Sequence, residues 1–405
     1  MSEEKYENLA LVLSGGGIKA AAFHVGVVSA LRQHGYIFAG GTKDRVENEF
    51  LNPEKTFKTY VGSSAGSIIC GYLASGHSIE NIIESFQMGN FFHKDLRNKL
   101  SPAGKLPPLR YRDIFYFNGV DFDGVNIRKL FPKRVSSSPL LSGGLEVLFK
   151  HGFKWNGLFS TRGIERYFRE KVLPVNSFDD LGVDLFVIAT QLNHSRKAIF
   201  GNFERGTKNA TTKWVNFASI SQSIAASAAL PPVFAPYGIK NHKGKEIYFF
   251  DGEIRDTLST HVAHDMGADL IFSSYSIQPY HFNDQHGSLH QFGIPVILNQ
   301  ALYQVVEQKI QSHIKYRNNL VDTISIVHDE LLKNGYDKTK TQELIDTLYQ
   351  NLGYRQGVKY VYIHPQARNH DFFFADHFSL NPDILRKIVR YGYKSALLSI
   401  RQNGL

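Results

Sequence analysis

Gly62-Ser63-Ser64-Ala65-Gly66 has the pattern G-x-S-x-G, and it stands between an apolar run, FKTYV, and a stretch with apolar residues at helical spacing. A serine on a sharp strand-to-helix turn is placed to act as a nucleophile. Small residues two before and two after let the chains pass, and the helix N-terminus beneath favours a developing negative charge. Ser64 is the candidate. Serine also caps helices, so capping by Ser63 or Ser64 is the alternative reading of the same five residues.

Gly15, Gly16 and Gly17 follow the apolar run LALVL and precede a second helical stretch. Three consecutive glycines after a strand can offer backbone N–H groups to the oxyanion that forms when a serine attacks an ester. On that reading a substrate carbonyl oxygen is what comes too close for a Cβ. Gly15-x-Gly17-x-x-Ala20 also fits the loose dinucleotide fingerprint. That fingerprint wants an acidic residue after the next strand, but FKTYV leads into Gly62 and Ser63. No Gly-Lys-Ser/Thr closes the turn, which excludes a P-loop. Lys19, just inside the helix, adds positive charge near the glycines or is a solvated first-turn lysine.

The nucleophile needs a base. Asp251, in YFFDGEIRDTL, lies where an apolar strand stops at Asp-Gly. Open α/β sheets place active-site groups at the C-terminal ends of parallel strands, so Asp251 is expected there, accepting the Ser64 proton directly. A histidine triad is the rival, with His242, His261, His264, His281 and His286 available and none set in a motif.

These residues need elements to carry them. Leu9–Leu13 reads as a buried strand, and Ile18, Ala22, Val25 and Val28 mark a helix face that Gly35 closes. Phe57–Val61 is a second strand, and Ala65, Ile68, Ile69, Tyr72 and Leu73 mark a second helix ending near Gly76. Further strands are expected at 183–190, 246–252 and 268–276, with a helix around 164–171. Strands alternating with helices predict an α/β fold, a mostly parallel central sheet covered on both faces. From about 280 the pattern is mainly helical, with helices at 296–318, 322–352 and 382–401 and a strand in KYVYIHP. The expected organisation is a polar tail at 1–8, a catalytic domain at 9–280 and a C-terminal extension at 281–405. Within the catalytic domain, residues 86–156 mix Pro, Gly, aromatics and Arg with no single period and read as an insertion or lid.

At 405 residues and 42% hydrophobic composition, the chain can fill a sizeable core. The lone Cys70 rules out an intrachain disulfide. The polar start MSEEKYEN is unlike a secretory signal, and no charge-free apolar run is long enough to span a membrane. The expected location is cytoplasmic or at a membrane periphery, with export by a non-classical route left open. A net charge of +9 attracts acidic surfaces, but no K/R-rich block or zinc-finger spacing speaks for nucleic acid. The 17 histidines include no H-E-x-x-H, and neither a metal nor another cofactor is expected.

SGGGIKA, GSSAG and FFDGE, in that order, resemble the patatin-like phospholipase family. GLFSTRGIERYF, VDLFVIATQLNHSRKAIF, SIAASAALPPVFAPY and AHDMGADLIFSSYS extend the likeness from about Leu9 to Ser276. The resemblance implies a three-layer α/β domain related to α/β-hydrolases and hydrolysis of lipid acyl esters of the phospholipase A type. It implies a Ser64–Asp251 dyad without histidine and an oxyanion hole at Gly15, Gly16 and Gly17. Lys19 stands where the family commonly has arginine, and Glu253 replaces the small third residue of D-G-[GA]. Both are possible auxiliaries, and a second carboxylate beside Asp251 is expected to raise its pKa. The expected partners are a phospholipid or other acyl lipid and a membrane surface, with FFHKDLRNKL and LRYRDIFYF as an interfacial anchor; a protein activator stays open. A lipid-binding or scaffold protein weakened by Glu253 is the alternative from another class.

Overall fold

The computed structural model describes residues 5–49, 51–88, 105–117, 157–194, 196–203, 211–255, 257–284, 286–366 and 369–405. Most of the expected lid, at 89–104 and 118–156, lies outside the described residues. In chain order the strands are β1 (Leu9–Leu13), β2 (Ile37–Phe38), β3 (Thr56–Ser63), β4 (Tyr116–Phe117), β5 (Phe159–Ser160) and β6 (Asp184–Gln191). There follow β7 (Arg196–Phe200), β8 (Thr212–Val215), β9 (Tyr237–Lys240), β10 (Glu246–Asp251), β11 (Leu270–Ser274) and β12 (Lys359–Ile363). The helices that matter below are α1 (Gly17–Gln33), α2 (Ala65–Ala74), α3 (Arg162–Tyr167), α4 (Ile220–Ser227) and α5 (Thr260–Asp265). The C-terminal region adds α6 (Ile294–Lys333), α7 (Lys338–Asn351), α8 (His370–Phe374) and α9 (Pro382–Gln402).

The sheet runs β12-β11-β1-β3-β6-β10-β9, and its first five strands are parallel neighbours. Leu9, Leu11 and Leu13 of β1 face a large core shared with α1, α2 and α9, while Ala10 and Val12 face a smaller one with Val262 and Ala263 of α5. A strand buried on both faces reads as an unbroken apolar run, which is why LALVL shows no alternation. This is the mostly parallel sheet with helices on both faces and a helical C-terminal region that the sequence pattern predicts.

Three expectations need correction. β10 is antiparallel to both its neighbours, β6 and β9, so Asp251 does not end a parallel strand. β3 pairs with β6 up to Ser63↔Ile188, and β10 continues along the same edge of β6 from Asp251↔Ala189. The two strands therefore arrive from opposite directions and meet end to end. Next, the C-terminal helices divide at Gly335, not near 319–321. Asn319-Leu320-Val321 offers no break, whereas Asn334-Gly335 closes α6 with Gly335 at φ +80. Finally, α1 is buried on all sides from Ile18 to Leu31, not on one face, because α9 covers what the sheet leaves open. That approach requires glycine. A Cβ on Gly26 would strike the Val389 carbonyl of α9, and one on Gly392 the Phe23 carbonyl of α1.

Candidate active site

Ser64 sits between β3 and α2 with φ +50 and ψ −121, backbone torsions that an L residue adopts only under strain. Crossing chains leave no alternative. A Cβ at Gly62 would lie 2.5 Å from the Ser67 Cα, and one at Gly66 would collide with the Leu13 carbonyl. The turn is held by Ser227 of α4, whose hydroxyl accepts the Ser64 N–H at 2.7 Å and donates to the Ile188 carbonyl at 2.6 Å. Neither serine caps α2. Ser64 makes no side-chain cap bond, and the Ser63 hydroxyl is buried without a partner among the described residues. The Ser64 side chain instead lies beside the Asp251 carboxylate and favours its ionised form.

Asp251 is 1% exposed. Its N–H donates to the Ala229 carbonyl at 3.1 Å, and its carbonyl accepts from the Thr190 hydroxyl at 3.0 Å. Burial raises the carboxyl to about 6, opposed by Ser64 and by the hydrogen bond from the Glu253 backbone N–H. The expectation that Glu253 would act by like charge thus meets a different geometry. Its backbone donates to the Asp251 Oδ1 at 2.9 Å, which favours the ionised form. Among the described residues no histidine bonds Ser64 or Asp251. His242 faces Asn216, His264 takes the Arg355 N–H, and His286 stacks on Phe374.

The glycine loop runs directly against this pair. A Cβ on Gly15 would come within 2.7 Å of the Ser64 Cβ and 2.5 Å of the Glu253 Cγ. Gly16 has φ +130, Gly17 has φ +72, and a Cβ on Gly17 would lie 2.7 Å from the His377 carbonyl. What presses on the glycines is the protein itself. The Gly15 N–H donates to Glu253 Oε1 at 2.6 Å, while the N–H groups of Gly16 and Gly17 meet no acceptor among the described residues. Of the three glycines, Gly16 and Gly17 keep open donors, with Gly15 already engaged.

Lys19 points elsewhere. It is fully buried, its Nζ donates to the Phe372 carbonyl at 3.0 Å, and it lies 4.7 Å from the centre of the Phe372 ring. Burial brings its pKa down to about 7, against the pull of Asp376. It ties α1 to α8 and does not line the cleft. That cleft is lined by Ser64 and walled by apolar side chains including Ile114, Ile164, Phe168, Phe234 and Phe378. Phe378 comes from the C-terminal region.

The structure thus gathers Ser64, Asp251, Glu253 and the three glycines, and leaves Lys19 apart. Residue types and motifs gave no sign of His24 or Ser227. His24 is fully buried and neutral, its pKa lowered to about 4 by burial, and its Nε2 donates to the Ser14 carbonyl at 2.9 Å while Nδ1 accepts from Ser274. Ser227 lies in an apolar helical stretch, and a hydroxyl there must find a bond, which is the signal it offered.

A family profile for patatin-like phospholipase matches residues 11–264. The chain belongs to that family, a class of lipid acyl hydrolases. No curated protein matches the chain. The crystal structure of VipD from Legionella pneumophila matches over 98% of this chain and 67% of that chain, at 16% identity and a TM-score of 0.38. Likeness at that level adds nothing to the family assignment. Among the described residues no helix is long and apolar enough to cross a membrane.

Proposed function

We propose that the protein is a phospholipase A-type acyl hydrolase that cleaves fatty acyl esters with a Ser64–Asp251 dyad. The observation that carries this reading is a strained serine that lines an apolar cleft and lies beside a buried carboxylate. Ser64 Oγ adds to the ester carbonyl carbon as Asp251 takes its proton. The oxyanion rests on the Gly16 and Gly17 N–H groups. Collapse breaks the bond to the alcohol, whose oxygen receives the proton from Asp251. Water, deprotonated by Asp251, then attacks the acyl-Ser64 ester and releases the fatty acid. The acyl chain lies along the cleft, against its apolar walls.

The site works at a lipid surface on this reading. Tyr111, Tyr116 and Phe117 are exposed close in sequence to Ile114, which lines the cleft, and Arg110 and Arg112 lie among them. Rings beside cationic groups suit an interface with phospholipid headgroups. A location in the cytoplasm or at a membrane periphery fits such a substrate. The experiment that tests the function incubates the protein and Ser64→Ala with mixed phospholipid vesicles and follows products by mass spectrometry. Serine-dependent release of fatty acid and lysophospholipid is expected, and release that survives Ser64→Ala would overturn the dyad.

A further inference from the structure

The backbone polar groups of the glycine loop can be accounted for one by one. The Ser14 N–H donates to the Ser274 carbonyl at 3.0 Å, and the Ser14 carbonyl accepts from His24. The Gly15 carbonyl accepts from the Ser276 hydroxyl at 3.4 Å and the Ser14 hydroxyl at 3.3 Å, the Gly16 carbonyl from His377 Nδ1 at 3.5 Å, and the Lys19 N–H donates to the His377 carbonyl at 3.2 Å. Gly16 and Gly17 keep the two open N–H groups. The remaining donor, the Gly15 N–H, goes to Glu253 Oε1 at 2.6 Å, a short bond to a buried side chain. Of these bonds, this one alone comes from the segment that carries Asp251.

Glu253 therefore holds two parts of the site at once: its N–H bonds the Asp251 Oδ1 at 2.9 Å, and its carboxylate bonds Gly15. We propose that Glu253 is a positioning residue, a brace that fixes the glycine loop against the Ser64–Asp251 pair so that the Gly16 and Gly17 N–H groups converge on the reacting carbonyl. The proposal rests on the hydrolase reading above. Its physical basis is the freedom of glycine: Gly16 and Gly17, at φ +130 and +72, have no side chains to fix the backbone, so the direction of their N–H groups depends on the anchors on either side, Glu253 before them and His377 after. The absence of a Gly15 side chain follows from the same contact, since a Cβ there would overlap the Glu253 Cγ.

The test compares the full chain with Ser64→Ala, Glu253→Ala and Glu253→Gln in fluorophosphonate labelling and in hydrolysis of phosphatidylcholine vesicles. Glutamine keeps an oxygen acceptor and removes the charge. Glu253→Ala is expected to lower kcat about 10- to 100-fold with KM changed less than about twofold, as for a loss felt mainly in the transition state. Glu253→Gln is expected to regain most of that loss and to keep the acid limb of kcat/KM in place, because the bond to Asp251 comes from the backbone. Glu253→Met fills similar space without accepting a bond and serves in place of alanine if Glu253→Ala does not fold. Three results would overturn the brace: Glu253→Ala matching or exceeding the parent, glutamine failing as badly as alanine, or an acid limb displaced by more than about one pH unit in Glu253→Gln. An unlabelled, inactive parent protein would instead remove the hydrolase reading, and the brace with it.

Discussion

The two strand–turn–helix units at the centre of the sheet are built alike and used in opposite ways. After β3 the turn forces a non-glycine residue to φ +50 and so thrusts out one side chain, the Ser64 hydroxyl. After β1 the turn takes its positive φ values at Gly16 and Gly17, and with no side chains it leaves backbone N–H groups bare. One turn costs strain of about 1–3 kcal/mol, and the other is nearly free of strain but must be held in place from outside. On the proposed function, the same local architecture delivers a reactive oxygen from one strand and the donors for the oxyanion from its neighbour.

The sharpest break in this comparison is removal of the hydroxyl. Ser64→Ala is expected to lower esterase turnover by about 10⁴-fold or more and to abolish fluorophosphonate labelling, while the fold and vesicle binding persist. Asp251→Asn keeps the shape but cannot take a proton, and a loss of about 10³-fold in kcat is expected from steady-state kinetics. On the other turn, Gly17→Ala puts a Cβ against the His377 carbonyl and strains φ +72, so the donors shift. About 10²-fold in kcat should be lost, with KM little changed. Acid titrates the comparison without mutation. Asp251 must be ionised to accept the proton, and its pKa is raised to about 6, so kcat/KM should fall about tenfold per pH unit below that value and level off above it. A flat profile down to pH 4 would mean that another group is the base. The smallest effect belongs to the support of the elbow. Ser227→Ala leaves the Ser64 N–H buried and unmet, which should cost about 1–3 kcal/mol in chemical denaturation.

Much of this was legible in the chain because it is local. A strand feeding glycines and then a helix is written in neighbouring residues at Leu9–Gly17 and Phe57–Gly66, and both units form where the pattern puts them. Strand direction is not local. EIYFFD reads the same whether β10 runs with β6 or against it, and only pairing such as Asp251↔Ala189 decides the matter. Glu253 shows the same limit: its sequence neighbour Asp251 suggested a charge effect, whereas its carboxylate meets Gly15, 238 positions away. The expected division of α6 at 318–322 fails because weak local propensity there is overridden, and the helix stops only before Gly335.

The glycine contact between α1 and α9 bears on how the molecule comes to life during synthesis. The glycine loop is made long before α9, so the helix that the loop opens stays uncovered until Gly392 emerges to lie against Phe23. A nascent chain holds every motif residue by the time Asp251 is made, with an apolar helix still lacking its cover. The cover that α1 needs is then supplied by α9, well after every motif residue has been made.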